Sequence, residues 1–438
     1  MNVIVIVADS FRKDHVGCYG NDWVETPNLD RFATESCLVD GAYADSLYTA
    51  PCRTSMMLGR INFPFRPWQP FERDDLPVAE WLWDKGFTSA LVTDVYHLHK
   101  PGYNYGRGFD ERVFIRGQEY DPWILPSQVD EAQIDALYEQ HFKPSEVSEK
   151  NERFAEMFRQ YLRNISVRET EEDYFCAQVC LRAIDWLEAH QGRDNLFLWV
   201  DLFDPHEPWD PPLELKEQYN PGYEGMEIID PVPSQVEGYL TPEEMQNVRA
   251  LYAGEITFVD RWIGRLLDAA RQLGYFDDSM IVFTSDHGEP LDDHGIVRKH
   301  RTWMYEELAA VPLILHLPGQ AAGERREALV RLSDIAPTIC DAAGVEAMPN
   351  IHGTSLLPLV RGEVERVRET AITGSFNGGR AIRDERWSLL MPGASEEDEL
   401  YDRQADPAEQ QNVMDEFPHE AWRLECALQR ELTELTWE

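Results

Sequence analysis

Short apolar runs that stop at an acidic residue recur along the chain. Residues 2–8 lead into Asp9, 88–93 into Asp94, 195–200 into Asp201 and 280–285 into Asp286, and a fifth run covers 311–317. Each run is continuous rather than alternating and is rich in Val, Ile, Leu and Phe. Runs of this kind predict strands buried on both faces, hence a parallel sheet. Between them, apolar positions fall at helical spacing over 76–85, 173–190, about 241–273 and 333–343. The third helix opens on Thr241-Pro242-Glu243-Glu244, a capping box with proline in the first turn. Alternating strands and helices predict an α/β architecture, a doubly wound, mostly parallel sheet with helices on both faces. Ligands of such sheets sit outside the carboxyl ends of the strands. That is where Asp9, Asp94, Asp201 and Asp286 emerge.

Two stretches break the rhythm. Residues 101–172 are polar and aromatic, with a helical portion over 151–164, and read as an insertion. Its Tyr103, Tyr105, Phe109, Tyr120 and Trp123 either wall a pocket for an apolar group or pack an interface. From about residue 370, short runs at 370–374 and 380–390 predict antiparallel strands, with a terminal helix over 418–436. The expected division is a main α/β domain at 1–365 and a smaller C-terminal α+β subdomain at 366–438.

Charge narrows the partners. Eighty acidic residues against 40 basic ones give a formal charge of −40, a surface that repels nucleic acid and anionic lipid. An anionic ligand therefore needs a local positive site. No apolar run approaches the ~20 residues that span a bilayer. Residues 2–8 have no basic region before them and no small-residue cleavage site after them, so they read as a core strand and not a signal peptide. The seven cysteines are scattered and form no CxxC pair, as expected of reduced thiols in a cytoplasmic protein. Cys176 and Cys180, four residues apart without a second pair, read as core.

Two segments carry candidate chemistry. In Ser285-Asp286-His287-Gly288-Glu289 a strand end presents a carboxylate and an imidazole together, a set that suits a divalent transition metal. The other is Tyr48-Thr49-Ala50-Pro51-Cys52-Arg53-Thr54-Ser55-Met56-Met57-Leu58-Gly59-Arg60. This stretch resembles the sulfatase signature, Cys/Ser-x-Pro-Ser-Arg and then a helix ending in Gly-Arg. Pro51, Arg53, Gly59 and Arg60 fall in register, which puts Thr49 at the nucleophile position. Asp14-His15-Val16-Gly17-Cys18-Tyr19-Gly20, Thr26-Pro27-Asn28-Leu29-Asp30, Asp204-Pro205-His206-Glu207-Pro208, Asp293-His294-Gly295 with Lys299, and Glu399-Leu400-Tyr401-Asp402 with Asp406-Pro407 extend the resemblance over nearly the whole chain. It implies the alkaline-phosphatase-like fold and a metal-dependent ester hydrolase.

Three departures from the family pattern shape the expectation. Threonine cannot become the formylglycine that sulfatases make from cysteine or serine, and Cys52 lies three positions late. Ser10 stands where calcium-binding relatives have a second carboxylate, and His287 where they have an amide. The lysine of the Gly-Lys-Trp-His motif is absent from Thr93-Asp94-Val95-Tyr96-His97-Leu98-His99, although His97 matches its histidine, with Asp94 or His99 as further inward-pointing candidates. The resemblance thus implies one divalent cation on Asp9, Thr49, Asp286 and His287, Mn2+ or Zn2+ ahead of Ca2+ or Mg2+. No Asp-x-x-x-His pair comes after Asp201 or Asp204 to hold a second. Thr49 would be a covalent nucleophile, Arg53 would neutralise charge on the transferred group, and His206 or Lys299 would stabilise or protonate the leaving oxygen, with His97 a further catalytic residue matched to the family histidine. The expected reaction is hydrolysis of phosphodiesters or phosphonate monoesters. The alternatives are a sulfatase without formylglycine and an inactive metal-binding scaffold. The expected partner is a small anionic ester, with neither nucleic acid nor membrane, and homo-oligomerisation open.

Overall fold

The computed structural model describes all residues except 147, 300–303, 321–322, 377, 394–395 and 437–438. Its main sheet contains β1 (Asn2–Ala8), β2 (Cys37–Tyr43), β3 (Thr88–Thr93), β4 (Glu111–Phe114), β5 (Leu196–Leu202), β6 (Ser279–Ser285), β7 (Leu313–His316) and β8 (Glu324–Arg331). The spatial order is β8-β2-β7-β6-β1-β5-β3-β4. Every pairing is parallel except those of β7, which runs against β2 and β6. The expected mostly parallel sheet is therefore present, with β7 reversed. A continuous apolar run reports burial on both faces, not chain direction, so the run at 311–317 could not reveal this.

The inserted segment 101–172 is also partly absorbed into the sheet, because β4 pairs in parallel with β3 as an edge strand. Neither β2 nor β8 is evident from pattern alone. Asp40-Gly41 interrupts β2, and the outer half of β8 is the charged Glu324-Arg325-Arg326-Glu327.

Alternate residues of β1 feed opposite cores. Ile4, Ile6 and Ala8 face one apolar cluster, Val3, Val5 and Val7 the other. α1 (Thr49–Leu58) and α4 (Ile335–Ala343) pack on the second face, while α2 (Phe175–Ala189) and α3 (Pro242–Gln272) cover the first. The Thr241 capping box that opens α3 is formed as its sequence predicts. Beyond the main sheet lies a four-stranded antiparallel one, β9 (Ala371–Gly374), β10 (Arg380–Arg383), β11 (Trp387–Met391) and β12 (Glu399–Asp402). The last helix, α5 (Pro418–Glu434), lays Leu424 and Leu428 on Ile382 and Leu389 of this sheet. Among the described residues no helix is long and apolar enough to cross a membrane.

Candidate metal centre and active site

The site forms at the carboxyl ends of three adjacent strands. Ala8 at the end of β1 lies opposite Ser285 of β6 on one side and Leu202 of β5 on the other. The next residues out, Asp9 and Asp286, are therefore neighbours. Ser10, in the left-handed region at φ 58°, turns the chain so that its N–H donates to Asp286 Oδ1 at 3.0 Å and its hydroxyl to Asp9 Oδ1 at 2.9 Å. The residue that replaces a family carboxylate thus orients the two that remain. Gly288 has a steric reason, since a Cβ there would lie 2.0 Å from the Glu307 carbonyl oxygen.

Ligand atoms of Asp9, Asp286 and His287 lie within 4.8 Å of one another, and all three residues are buried. His287 Nδ1 contacts the Gly288 carbonyl at 2.8 Å, which assigns the proton to Nδ1 and leaves a lone pair on Nε2. That Nε2 is buried and has no hydrogen-bond partner, and Asp9 Oδ2 has none apart from its ion pair with Arg53 at 3.1 Å. Unpaired buried acceptors are costly and rare. Two acceptors converging with Asp286 are what a cation would satisfy, so the residues fit a divalent metal. Burial lifts the Asp9 carboxyl well above its usual range, reinforced by the charge of Asp286. Burial also pushes His287 down to about 4, keeping the imidazole neutral as a ligand must be. Asp286 stays below its ordinary value because His287, Arg53 and two backbone N–H groups outweigh burial.

Arg53 binds this assembly from within. Its guanidinium is fully buried and pairs with Asp201 at 2.6 Å, Asp9 at 3.1 Å, and Asp286. Asp201 is held in turn by the Trp199 indole N–H at 3.0 Å. The structure therefore places Arg53 among three carboxylates at the strand ends. Its Nη1 also lies 3.4 Å from the Thr49 carbonyl oxygen, which brings the first residue of α1 beside the cluster. The Tyr48 ring meets the His287 ring edge-on at 5.6 Å. The Cys52 thiol is engaged by the backbone: it donates to the carbonyls of Ser46 at 2.7 Å and Asp286 at 3.1 Å, and burial keeps it protonated.

A second layer of charge surrounds the centre. Lys299 Nζ pairs with Glu289 and lies 3.5 Å from Glu207, and its charge acts on Asp9 and His287. Those two carboxylates outweigh burial and hold Lys299 cationic, while burial raises Glu289 to about 7. Arg298 bridges Glu207 and Asp230. His206 contacts the Glu207 carbonyl through Nδ1 at 2.8 Å, and burial pushes it down to about 3, so it is neutral. His97 lies farther out, its Nε2 2.8 Å from Glu119.

Other candidates serve the scaffold. Asp94 accepts from the Phe203 N–H at 2.8 Å and from Gln118, whose amide also reaches Asp204. His99 stacks on Phe114 with ring centres 4.2 Å apart. His294 is held between Glu307 and the Glu409 carbonyl and stacks on Tyr305. Of the aromatic residues in the insertion, Tyr105 is buried against Thr54 and the Ala50 carbonyl, Phe109 stacks on Phe197 and Trp123 packs on Phe175. Tyr120 lies near His97. All seven cysteines are free. Sequence reasoning missed Asp201 as the partner of Arg53, and Glu207, Glu289, Arg298 and Glu119 altogether. Glu207 and Glu289 sit inside motifs that carry the family resemblance and could have been found there, whereas Glu119 lies in the insertion and carries no signal.

A doubly wound sheet with paired strand-end carboxylates, a neutral histidine and a helix N-terminus beside them defines an alkaline-phosphatase-like hydrolase of esters. The chain belongs to the sulfatase family, whose model matches residues 1–345; a further model, the C-terminal region of N-sulphoglucosamine sulphohydrolase, matches 292–438. Members of this family are divalent-metal-dependent ester hydrolases. The chain is 26% identical to an N-acetylglucosamine-6-O-sulfatase of Bacteroides thetaiotaomicron, over 94% of this chain and 82% of that protein. It is also 26% identical to a choline-sulfatase of Rhizobium meliloti, with the same coverage of each. Its fold superposes on the phosphonate monoester hydrolase of Agrobacterium radiobacter with a TM-score of 0.77 at 22% identity, covering 99% of this chain and 95% of that one.

Proposed function

We propose that this chain hydrolyses phosphodiesters or phosphonate monoesters, with Thr49 as the covalent nucleophile. The observation that carries the reading is the setting of α1. Arg53, which pairs with Asp9 and Asp286, also reaches the Thr49 backbone carbonyl at 3.4 Å, so the start of α1 lies beside that pair, while the Cys52 thiol is taken up by two backbone carbonyls. A threonine hydroxyl cannot supply the aldehyde hydrate that eases sulfate release, and an alkoxide suits attack on phosphorus. A divalent cation held by Asp9, Asp286, His287 and Thr49 would supply Lewis acidity and lower the hydroxyl pKa; the carboxylate and imidazole donors suit Mn2+ or Zn2+.

Thr49 Oγ1 bonds to phosphorus as the ester oxygen departs, and water then cleaves the phosphothreonine. Arg53 contributes by keeping the three strand-end carboxylates in place, and Lys299 adds fixed positive charge. His97, which matches the family histidine, is the proposed acid that protonates the leaving oxygen, and Lys299 stays protonated as fixed charge. The acidic surface argues against nucleic acid, and a small anionic ester would depend on the bound cation, Arg53 and Lys299 for local positive charge.

The test is a panel of aryl phosphodiesters, phosphonate monoesters, phosphomonoesters and sulfates, run with each metal and with a chelator. Phosphorus diesters and phosphonates should lead, chelation should stop turnover, and Thr49→Ala should lose at least about a thousandfold. Substantial Thr49→Ala activity would remove the nucleophile assignment. The second reading, a sulfatase without formylglycine, is favoured by the sulfatase relatives and would be established by sulfates leading the panel.

A further inference from the structure

We propose that Glu119 is a positioning residue that fixes the His97 imidazole with Nδ1 free for the leaving oxygen. The proposal rests on the reading of His97 as the acid.

The pairing comes from sheet topology. β3 and β4 run side by side in parallel, with Thr93 opposite Phe114 at their ends. The chain therefore leaves both strands at the same edge of the sheet. After β3 it forms the helical turn Tyr96–His99, which carries His97. After β4 it reaches Glu119 within a tightly anchored stretch. Gly117 N–H donates to Asp121 at 3.0 Å, the Gly117 carbonyl accepts from Asn164 at 2.8 Å, and Gln118 bridges Asp204 and Asp94. Glu119 adopts φ 50°, a left-handed conformation that glutamate rarely takes. Its carboxylate meets His97 Nε2 at 2.8 Å, and both side chains are only 11% exposed.

The rest of the surroundings confine the ring. Trp68 meets it edge-on at 4.8 Å, and Tyr120 and Tyr96 lie 6.1 and 6.3 Å away. Beyond His97, the titratable groups that Glu119 faces are His206, which is neutral, and Glu207, the second layer around the metal centre. Burial would raise the Glu119 carboxyl, but the charge of His97 and contact with it hold Glu119 below its usual value, so it is ionised. A carboxylate at Nε2 keeps a proton on that nitrogen. The other nitrogen, Nδ1, is buried with no hydrogen-bond partner.

The proton balance is closed over two half-reactions. As the bond from phosphorus to the leaving oxygen breaks, the proton on Nδ1 of the imidazolium passes to that oxygen, and the neutral Nε2–H tautomer remains on Glu119. When water attacks the phosphothreonine, its proton returns to Nδ1 and the alkoxide of Thr49 is released. The carboxylate never accepts the proton itself.

Leaving-group dependence tests this, because an acid matters most when the departing alkoxide is poor. Wild type, His97→Gln, Glu119→Gln and Glu119→Asp would be compared as holoenzymes on p-nitrophenyl and ethyl phenylphosphonate, or on the corresponding sulfates if only those turn over. Their melting curves serve as a folding check. His97→Gln should lose about 100-fold more on the ethyl ester than on the p-nitrophenyl ester, and Glu119→Gln about 10-fold more, with Glu119→Asp regaining part of that selective loss. Equal losses of Glu119→Gln on both esters, beside a selective loss in His97→Gln, would overturn the positioning role alone. Equal losses in His97→Gln would overturn His97 as the acid, and the proposal with it.

Discussion

Replacing Arg53 by Met should reveal how much of the site depends on one buried cation. The guanidinium is fully buried and offsets Asp9, Asp201 and Asp286 at the ends of three neighbouring strands. Met matches much of the side chain's length, so the loss is chiefly one of charge and hydrogen bonds. Removing one partner from a buried ion pair costs about 3–5 kcal/mol, because the charge left behind is uncompensated. At about 2 °C per kcal/mol in a chain of this size, the melting midpoint should fall by roughly 6–10 °C.

The deficit should also depend on pH. Without Arg53 the folded-state pKa of all three carboxyls rises: Asp9 and Asp201 move further above the unfolded value, and Asp286 moves up from below it. Stability from a raised carboxyl is complete below the unfolded pKa and is lost as pH rises through the folded pKa. The gap between variant and wild type should therefore widen from pH 5 to pH 8 and narrow on acidification. Urea titrations in chelator at a series of pH values measure it directly. Adding Mn2+ or Zn2+ should recover part of the loss, since a bound cation replaces the missing positive charge. A variant within about 1 kcal/mol of wild type at pH 8, with a parallel pH profile, would refute the counterion role.

Cys52→Ser keeps a donor for the Ser46 and Asp286 carbonyls, so activity should stay within about tenfold of wild type. Loss of all turnover, together with an aldehyde at residue 52 in the mass spectrum of the wild-type protein, would move the nucleophile from Thr49 to Cys52. Burial raises the Asp204 carboxyl from 3.8 to about 6, so the stability it contributes is complete below 3.8 and is lost as pH rises through about 6. Asp204→Asn should therefore flatten the decline of the urea midpoint between pH 4 and 7, and an unchanged slope would contradict the assignment.

The parts of the site legible in the sequence are those built from unbroken strand cores. The runs before Asp9 and Asp286 are apolar throughout because both faces of the sheet are covered, and their ends mark the crevice. Edge and interrupted strands lack that signature. Asp40-Gly41 within β2 and the charges of outer β8 conceal them. Arg53 was recognisable by motif but not by role, since its partners come from β1, β5 and β6, hundreds of residues apart in part, and only the strand order brings them together. His97 could be matched, whereas Glu119 could not. Its meaning depends on β4 joining the sheet, which the four residues Glu-Arg-Val-Phe do not announce.

The placement of β1 between β5 and β6 has a consequence for how the protein is made. Asp286 grips the Ser10 backbone across 276 residues of sequence, and Arg53 reaches it across 233. No fragment that stops short of β6 possesses the cation site, however much of the sheet it has assembled. A cation bound there would therefore favour every form of the chain in which β6 is seated beside β1 over every form in which it is not.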